Sequence, residues 1–255
     1  MVVVLYRWAY GSVVSDYDVL VIGGGIAGRT AGSFTARAGL KTAVFDAGES
    51  ILRRNAHLEN FPGFPVGVNP RLLLDLMREQ AERAGCEWVD NEVVDVDRHP
   101  KTGFVVKTAD SDEWAYRGER VLVATPGRFN YLRELPVETV TEEGKQFVEA
   151  TSSGRTSVDG IYVAGRMAGK PLQAAIAAGH GAEVAVGLLK DSDAPYAFDW
   201  SVPAGYFTER GREIPPGVEE VFPEDRHERE RRSLEVMRNH FSERHPEEPD
   251  SHSDI

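Results

Sequence analysis

The fold of this chain is decided by the stretch Val19-Leu20-Val21-Ile22-Gly23-Gly24-Gly25-Ile26-Ala27-Gly28. Its apolar first half is typical of a buried parallel strand, and Gly23, Gly25 and Gly28 have the spacing G-x-G-x-x-G. In this pattern the first glycine permits a tight turn, the second lets a pyrophosphate approach the backbone, and the third lets the next helix pack on the strand. The phosphates then lie on the N-terminal N–H groups of that helix. The predicted cofactor-binding residues of this turn are Gly23, Gly25, Ile26, Ala27 and Gly28.

A second apolar segment, Thr42-Ala43-Val44-Phe45-Asp46, follows after a gap of helical length. Asp46 lies near the offset of roughly 20 residues at which a carboxylate accepts hydrogen bonds from a ribose. Glycine-rich turns are common, so the glycines alone would be weak evidence. A dinucleotide-binding site is predicted by the combination of the first strand, the glycines, the helix, the second strand and the acid at its end.

Composition narrows the choice of partners and location. The formal net charge of the 255 residues is −12, and such an acidic surface argues against nucleic acid or an anionic membrane as a partner. The lysine-poor, acidic composition suggests a halophilic source. No apolar run approaches the roughly 20 residues of a membrane span. Cys86 is the single cysteine, which excludes an intrachain disulfide, and a cytoplasmic location is expected by default.

The chain divides into three expected parts. Residues 1–14 are interpreted as a leader and not as a signal peptide, because Arg7 interrupts the apolar segment and no small-residue cleavage site follows. Residues 15–190 form the dinucleotide-binding domain, and residues 191–255 form a C-terminal arm and a charged helix. The apolar stripe Leu234, Met237 and Phe241 predicts that this helix docks on the domain, with partner binding as the alternative. Residues 243–255 are predicted to be disordered.

The region after Cys86 changes to short strands. Residues 93–99, 103–108 and 113–116 are typical of three antiparallel strands, and residues 120–125 of a buried parallel strand. The predicted fold class is therefore α/β: a Rossmann-like domain with a parallel sheet, a three-stranded antiparallel β-meander and a C-terminal extension. A meander before a return strand is not the arrangement of a plain nicotinamide dehydrogenase, and it favours a flavin. Cys86 is interpreted as a small buried hydrophobic residue.

These blocks resemble the FAD domain of thioredoxin reductase and its relatives among the two-dinucleotide flavoproteins, over about residues 17–190. The glycine pattern and Asp46 match the family's adenosine-diphosphate site. Residues 58–65 (LENFPGFP) are similar to a segment that lies beside the flavin, and residues 156–165 and 173–179 resemble the last strand and last helix of that domain. The resemblance implies FAD as the cofactor and further contacts at Asn60, Val93, Ala124, Thr125, Gly165, Arg166, Gln173 and Ala174.

The last helix is expected to act on the flavin through its N-terminus. Pro171 suits a first helical position. In the family this N-terminus is aimed at the pyrimidine end of the flavin ring, where the helix dipole favours negative charge and raises the reduction potential. His180, further along the helix, is interpreted as packing or surface.

Three departures from the family limit the function. The family places an NADPH domain between the strand that ends near Thr125 and the last strand, but here only residues 128–155 intervene, far fewer than the ~100 residues of a domain. Cys86 has no second cysteine for a redox pair. Arg166 stands where the family has an aspartate that binds a ribitol hydroxyl, and arginine has only donors. Three alternatives are open for Arg166. It pairs with the pyrophosphate, it faces an acidic electron donor, or it marks a site whose FAD binding is weakened or lost.

The function expected from these features is that of an FAD-dependent oxidoreductase other than a conventional thioredoxin reductase. Its electrons are exchanged with a separate redox partner, either a protein or a small-molecule acceptor. No catalytic residue is assigned, and a homodimer is expected by resemblance only. One alternative is a non-catalytic FAD-binding or partner-recruiting module. The other is an NAD-dependent dehydrogenase, which the meander and the blocks around Asn60 and Gln173 disfavour.

Overall fold

The apolar stretch before the glycine turn forms the central strand of a mixed sheet. The computed structural model describes residues 15–127, 129–194 and 199–250, so the predicted leader lies outside the described residues. The strands are β1 Ser15–Ile22, β2 Thr42–Phe45, β3 Glu87–Val89, β4 Val93–Arg98, β5 Phe104–Thr108, β6 Tyr116–Val123, β7 Thr139–Glu142, β8 Lys145–Val148, β9 Ile161–Val163, β10 Trp200–Pro203 and β11 Val218–Val221. The α-helices are α1 Ile26–Arg37, α2 Pro70–Arg83, α3 Ala174–Lys190 and α4 Pro223–His240. Among the described residues, no helix has both the length and the apolar character that a bilayer crossing requires.

The sheet combines a parallel part with an antiparallel meander, which confirms the predicted fold class. Strands β3, β2, β1, β6 and β9 are parallel neighbours, and β5 and β4 continue from β6 in antiparallel pairs. Successive residues of β1 alternate between the two faces. Val19 and Val21 pack with α1 and α3 on one face, whereas Leu20 and Ile22 pack with the meander on the other.

The prediction of separate strands at residues 113–116 and 120–125 is wrong, because one continuous strand, β6, covers residues 116–123. β1 pairs with β6 along its whole length, from Ser15 opposite Tyr116 to Ile22 opposite Val123. The other edge of β6 is divided, since its first part pairs with β5 and its last part with β9. The partly exposed polar residues in the first half of β6 hide this continuity in the sequence.

The interval between β6 and β9 packs on the sheet. Residues 129–155 of this interval contain a short 3-10 helix, Asn130–Leu132, and the antiparallel hairpin of β7 and β8. Leu132 and Val148 are buried in the same cluster as Leu20 and Ile22 of β1. This hairpin therefore covers part of the face opposite α1 and α3.

The C-terminal arm contains a small unit in which β10 and β11 pair in parallel. The Glu220 carboxylate accepts hydrogen bonds from three backbone N–H groups of the loop after β10 and from the Thr208 hydroxyl. These bonds, led by that from the Thr208 N–H, lower the pKa of Glu220 to about 2. Arg37, the last residue of α1, donates two hydrogen bonds to Asp199 and so ties the arm to the domain.

Helix α4 differs from its prediction, because it buries none of its residues. Leu234, Met237 and Phe241 remain well exposed. Contact with the domain is made by the C-terminal end, where the Phe241 and Phe64 ring centroids lie 6.2 Å apart.

The described part of the C-terminal tail, residues 243–250, contacts α2 and the loop before it, where the sequence predicts disorder. His245 Nε2 lies 2.9 Å from Asp75 Oδ2 of α2. The Asp250 N–H donates to the Arg53 carbonyl oxygen at 3.4 Å. Polar composition suggested disorder, but these charged residues find partners on the domain.

The close packing of α1 on α3 depends on the absence of a side chain at Gly181. A Cβ atom there would lie 2.3 Å from the Ala27 carbonyl oxygen. We expect Gly181→Ala to lower the free energy of unfolding by about 1–3 kcal/mol, because the helices must move apart. Urea denaturation followed by circular dichroism measures this change.

Gly179→Ala is the matched control on the same helix. Gly179 is exposed and a Cβ there meets no described atom within 4 Å, so alanine should raise the stability by about 0.5–1 kcal/mol. Equal stabilities of the two variants would contradict the close helix contact.

Candidate functional site

The glycine turn between β1 and α1 is held by close backbone contacts. Gly23 has a φ of +110°, and its N–H donates to the Phe45 carbonyl oxygen of β2 at 2.9 Å. A Cβ at Gly28 would lie 1.9 Å from the Gly23 carbonyl oxygen. The turn itself therefore requires glycine at these two positions, whatever ligand it binds.

Gly25 is not required by the turn. Its φ of −75° is open to any residue, and a Cβ there would have Ser50 Oγ, at 3.8 Å, as its nearest described neighbour. Among the described residues, no side chain caps the N-terminus of α1, whose first turn begins with Ile26 and Ala27. Open space before an uncapped helix N-terminus suits an anionic phosphate, since the helix dipole is positive there.

Asp46 lies against this turn, immediately after β2. A Cβ at Gly24 would come within 2.2 Å of the Asp46 carboxyl carbon, so the carboxylate packs directly on the glycine backbone. Asp46 Oδ1 accepts a hydrogen bond from the Gly48 N–H at 2.9 Å. Asp46 Oδ2 accepts one from Arg29 Nη2 at 2.8 Å. The predicted ribose carboxylate thus joins the glycine turn in one hydrogen-bonded unit.

Arg29 is a residue that the sequence interpretation missed. It directly follows Gly28, and a helical side chain at that position points back toward the helix N-terminus. Besides its bond to Asp46, its guanidinium donates to the Gly24 carbonyl oxygen at 2.5 Å and to the Leu74 carbonyl oxygen of α2 at 2.7 Å. Burial lowers the pKa of Arg29, although Asp46 opposes this shift. A charged residue directly after the third glycine was the signal available in the sequence.

The ends of β6 and β9 meet the glycine turn at the same edge of the sheet. The Ala124 N–H donates to the Ile22 carbonyl oxygen at 2.8 Å, and a Cβ at Gly23 would lie 2.8 Å from the Ala124 carbonyl oxygen. Thr125 Oγ1 lies 2.7 Å from the Tyr131 hydroxyl. A Cβ at Gly165 would lie 3.0 Å from the Ala27 Cβ. Ala124 and Gly165 therefore lie next to the turn.

Arg166 makes its described contacts with the inserted hairpin and its own loop. Its guanidinium carbon lies 4.8 Å from the ring centroid of Phe147 in β8, and Nη1 donates to the Lys170 carbonyl oxygen at 3.2 Å. Cation–π packing of this kind holds an arginine side chain in place. A role for Arg166 toward a pyrophosphate or an acidic donor stays a prediction.

His180 has a structural contact that explains its burial. It is 4% exposed, and its Nδ1 accepts a hydrogen bond from the Gly165 N–H at 2.9 Å. Burial lowers the pKa of His180 and so favours the neutral ring that can accept this bond. His180 supports the backbone of Gly165, which has a φ of +68°.

Asn60 and Gln173 come together although they are far apart in the sequence. Asn60 Nδ2 donates to Gln173 Oε1 at 2.8 Å, and both residues are exposed. The adjoining apolar residues Leu58 and Ala174 belong to the same cluster as Ile26 of α1. The pair therefore lies within the surroundings of the α1 N-terminus.

The beginning of α3 differs from its prediction. The helix starts at Ala174 with Gln173 as the N-cap residue, so Pro171 precedes the helix and is not its first residue. The Gln173 side chain bonds to Asn60 and does not cap the helix. The N-terminus of α3 thus lies beside the loop that carries Asn60.

The remaining predicted residues are placed less directly. Val93 begins β4, and its buried side chain belongs to the core, so a ligand could reach its backbone only. Arg53, in the loop after β2, forms an ion pair with Glu247 of the C-terminal tail. Its Nε lies 4.0 Å from Asp250 Oδ2. The described ionic partners of Arg53 are therefore carboxylates of the C-terminal tail.

Comparison with known proteins places these features in a family. A family model described as pyridine nucleotide-disulphide oxidoreductase matches residues 17–149. The thioredoxin reductase of Streptomyces clavuligerus is 40% identical over 111 residues, which are 42% of this chain and 34% of that protein. The thioredoxin reductase of Aquifex aeolicus is 42% identical over 113 residues, which are 43% of this chain and 33% of that protein. The chain thus spans about a third of the length of these curated relatives.

Solved structures agree with this placement at the level of the fold. A thioredoxin reductase from Gloeobacter violaceus has a TM-score of 0.58 at 20% identity, with 72% of this chain and 98% of that chain covered. An oxidoreductase from Agrobacterium tumefaciens has a TM-score of 0.62 at 15% identity, with 69% and 98% covered. The family model matches more than half of the sequence, and this chain therefore belongs to the pyridine nucleotide-disulphide oxidoreductase family.

Proposed function

We propose that this chain is an FAD-binding flavoprotein oxidoreductase that exchanges electrons with a separate redox partner, either a protein or a small-molecule acceptor. The observation that carries the proposal is the convergence of the glycine turn and Asp46 with the Asn60–Gln173 pair at one edge of the sheet. A nicotinamide dehydrogenase would need only the glycine turn and the carboxylate of Asp46. A site that extends from the glycine turn and Asp46 to the Asn60–Gln173 pair fits a longer dinucleotide. Membership of the family supports FAD as that dinucleotide.

The residues present fit the adenosine-diphosphate part of FAD. The open space at Gly25, in front of the first turn of α1, accommodates the pyrophosphate, because a side chain is absent there. Gly23 and Gly28 keep the turn tight enough to aim backbone N–H groups at the phosphates. Asp46 is the acceptor for a ribose hydroxyl.

The second end of the site fits the flavin. Bound FAD would supply reversible two-electron chemistry, and the chain's residues would orient it. Asn60 and Gln173 offer amide donors and acceptors at the N-terminus of α3. The dipole of that helix favours negative charge nearby, which raises the reduction potential of a bound flavin. Gly165, next to Ala27 of α1, and Ala174, which packs with Ile26, are the proposed contacts between the two ends.

The partner is proposed to be external because the chain has no thiol pair to relay electrons. Cys86 is its single cysteine and lies buried before β3, where burial raises the pKa of the thiol to about 12. Residues 128–155, which form a short hairpin where described, are too few for a second dinucleotide domain. A homodimer and a cytoplasmic location stay predictions.

The visible spectrum tests the proposal. Protein purified without added cofactor should be yellow and release FAD, identified by mass. Its absorbance should bleach with dithionite but respond slowly to NADPH, since the chain has no NADPH domain between β6 and β9. A colourless protein that takes up no FAD would refute the proposal.

The same measurement separates the alternatives. A tightly bound FAD that resists reduction by dithionite would favour a non-catalytic module. A colourless protein that binds NAD would favour the dehydrogenase.

Gly25→Val tests the phosphate position. The valine side chain would occupy the open space before α1 without backbone strain, so FAD affinity should fall by at least about tenfold while thermal stability changes little. Fluorescence titration of the flavin-free protein measures the affinity. Gly179→Val, at an exposed position of α3, is the matched control and should bind FAD as the unaltered protein does.

Reaction with Ellman's reagent tests the inertness of Cys86. At pH 8 the native thiol should react more than about 100-fold more slowly than the thiol of urea-unfolded protein, because so little thiolate is present. The native rate should keep rising with pH above 9, since the raised pKa moves thiolate formation upward. Equal rates for native and unfolded protein would show that the thiol is available for redox chemistry.

A further inference from the structure

Arg29 links four parts of the structure around the adenosine end of the proposed site. Its side chain is about 6% exposed. Nε bonds to the glycine turn at the Gly24 carbonyl oxygen, Nη1 to α2 at the Leu74 carbonyl oxygen, and Nη2 to Asp46 after β2. The guanidinium carbon also lies 4.8 Å from the ring centroid of Trp88 in β3.

This geometry fixes the carboxylate of Asp46. One oxygen is bonded to Arg29 and the other to the Gly48 N–H, so rotation of the carboxylate would break both hydrogen bonds. A carboxylate has about four acceptor positions, and these two bonds leave others for a ligand. Arg29 also offsets the cost of burying the negative charge, because a buried ion is stable only when it is paired.

The same geometry excludes another role for Arg29. An arginine near the ribose acid of a dinucleotide site can accommodate a 2′-phosphate. Here all three nitrogens of the guanidinium already donate to protein oxygens. These bonds use three of the five N–H groups, and a side chain only about 6% exposed leaves little of the guanidinium open to a ligand phosphate.

We propose that Arg29 is a positioning residue that holds Asp46 ready to bind an intact ribose, so that the site selects adenosine diphosphates with a free 2′-hydroxyl. This inference rests on the proposed function, because it concerns the adenosine end of the FAD site. Arg29 acts through Asp46 and need not touch the ligand.

The test compares ADP with 2′-deoxy-ADP as ligands of the full-length, flavin-free protein in isothermal titration calorimetry. A hydrogen bond to a charged acceptor should make ADP bind roughly 10- to 100-fold more tightly than the deoxy analogue. Arg29→Leu should reduce this ratio to about twofold or less, whereas Arg29→Lys, which keeps the charge but not the three-way hydrogen bonding, should give an intermediate ratio.

Two further comparisons separate positioning from loss of stability. In an Asp46→Ala background, which removes the acceptor, adding Arg29→Leu should leave the ratio unchanged, and the double variant buries no unpaired charge. Arg78→Leu is the matched control, because Arg78 also lies 4.8 Å from the Trp88 ring centroid but bonds to Asp90 and Glu82. It should keep the ratio of the unaltered protein.

Two outcomes would overturn the inference in distinguishable ways. If the unaltered protein discriminates between the ligands and both folded Arg29 variants discriminate equally well, Arg29 does not position Asp46, and the proposed function stands. If the unaltered protein binds neither ADP nor FAD, the proposed function and this inference fail together.

Discussion

The approach of α1 to the ends of the central strands is the constraint on which the rest of the structure depends. A Cβ atom at Gly28 would lie 1.9 Å from the Gly23 carbonyl oxygen, and one at Gly181 of α3 would lie 2.3 Å from the Ala27 carbonyl oxygen. These contacts leave no room for a methyl group on either side of the first turn of α1. Because the helix is held so close, the ends of β1, β6 and β9 and the N-termini of α1 and α3 share one edge of the sheet.

Electrostatics at this edge differ from those of the surface as a whole. The chain carries a net charge of −12, yet the described residues nearest the glycine turn include the buried cation of Arg29 and two helix N-termini. Asp46 balances Arg29 locally, so the helix dipoles remain as the field that an anion would meet in the proposed site. An acidic protein can therefore bind a phosphate-rich ligand, because backbone N–H groups supply the attraction without surface lysines.

Local patterns in the sequence predict those elements that interactions between nearby residues determine. The apolar run of β1, the glycine spacing and Asp46 after β2 each follow from short-range rules, and the structure has them together. The continuity of β6 was missed because strand length is set by pairing on both edges, which lies outside the strand's own residues. The contact of Arg29 with Leu74 was missed for the same reason, since it joins α1 to α2. The beginning of α3 was misplaced because proline suits several positions before a helix. The tail contacts depend on charged groups of α2 that no property of the tail reveals.

The divided edge of β6 has a consequence for how this fold tolerates insertion and deletion. Val123 of β6 pairs with Val163 of β9, so the sheet itself holds the two ends of the intervening chain side by side. Closing a longer loop between fixed neighbours costs only about 0.6 kcal/mol for each doubling of its length. The sheet can therefore carry a hairpin or an entire inserted domain between the same two strands without changing its own pairing. A module at this junction therefore leaves the pairing of β6 with β9 intact, but it must also cover the core residues that Leu132 and Val148 now contact.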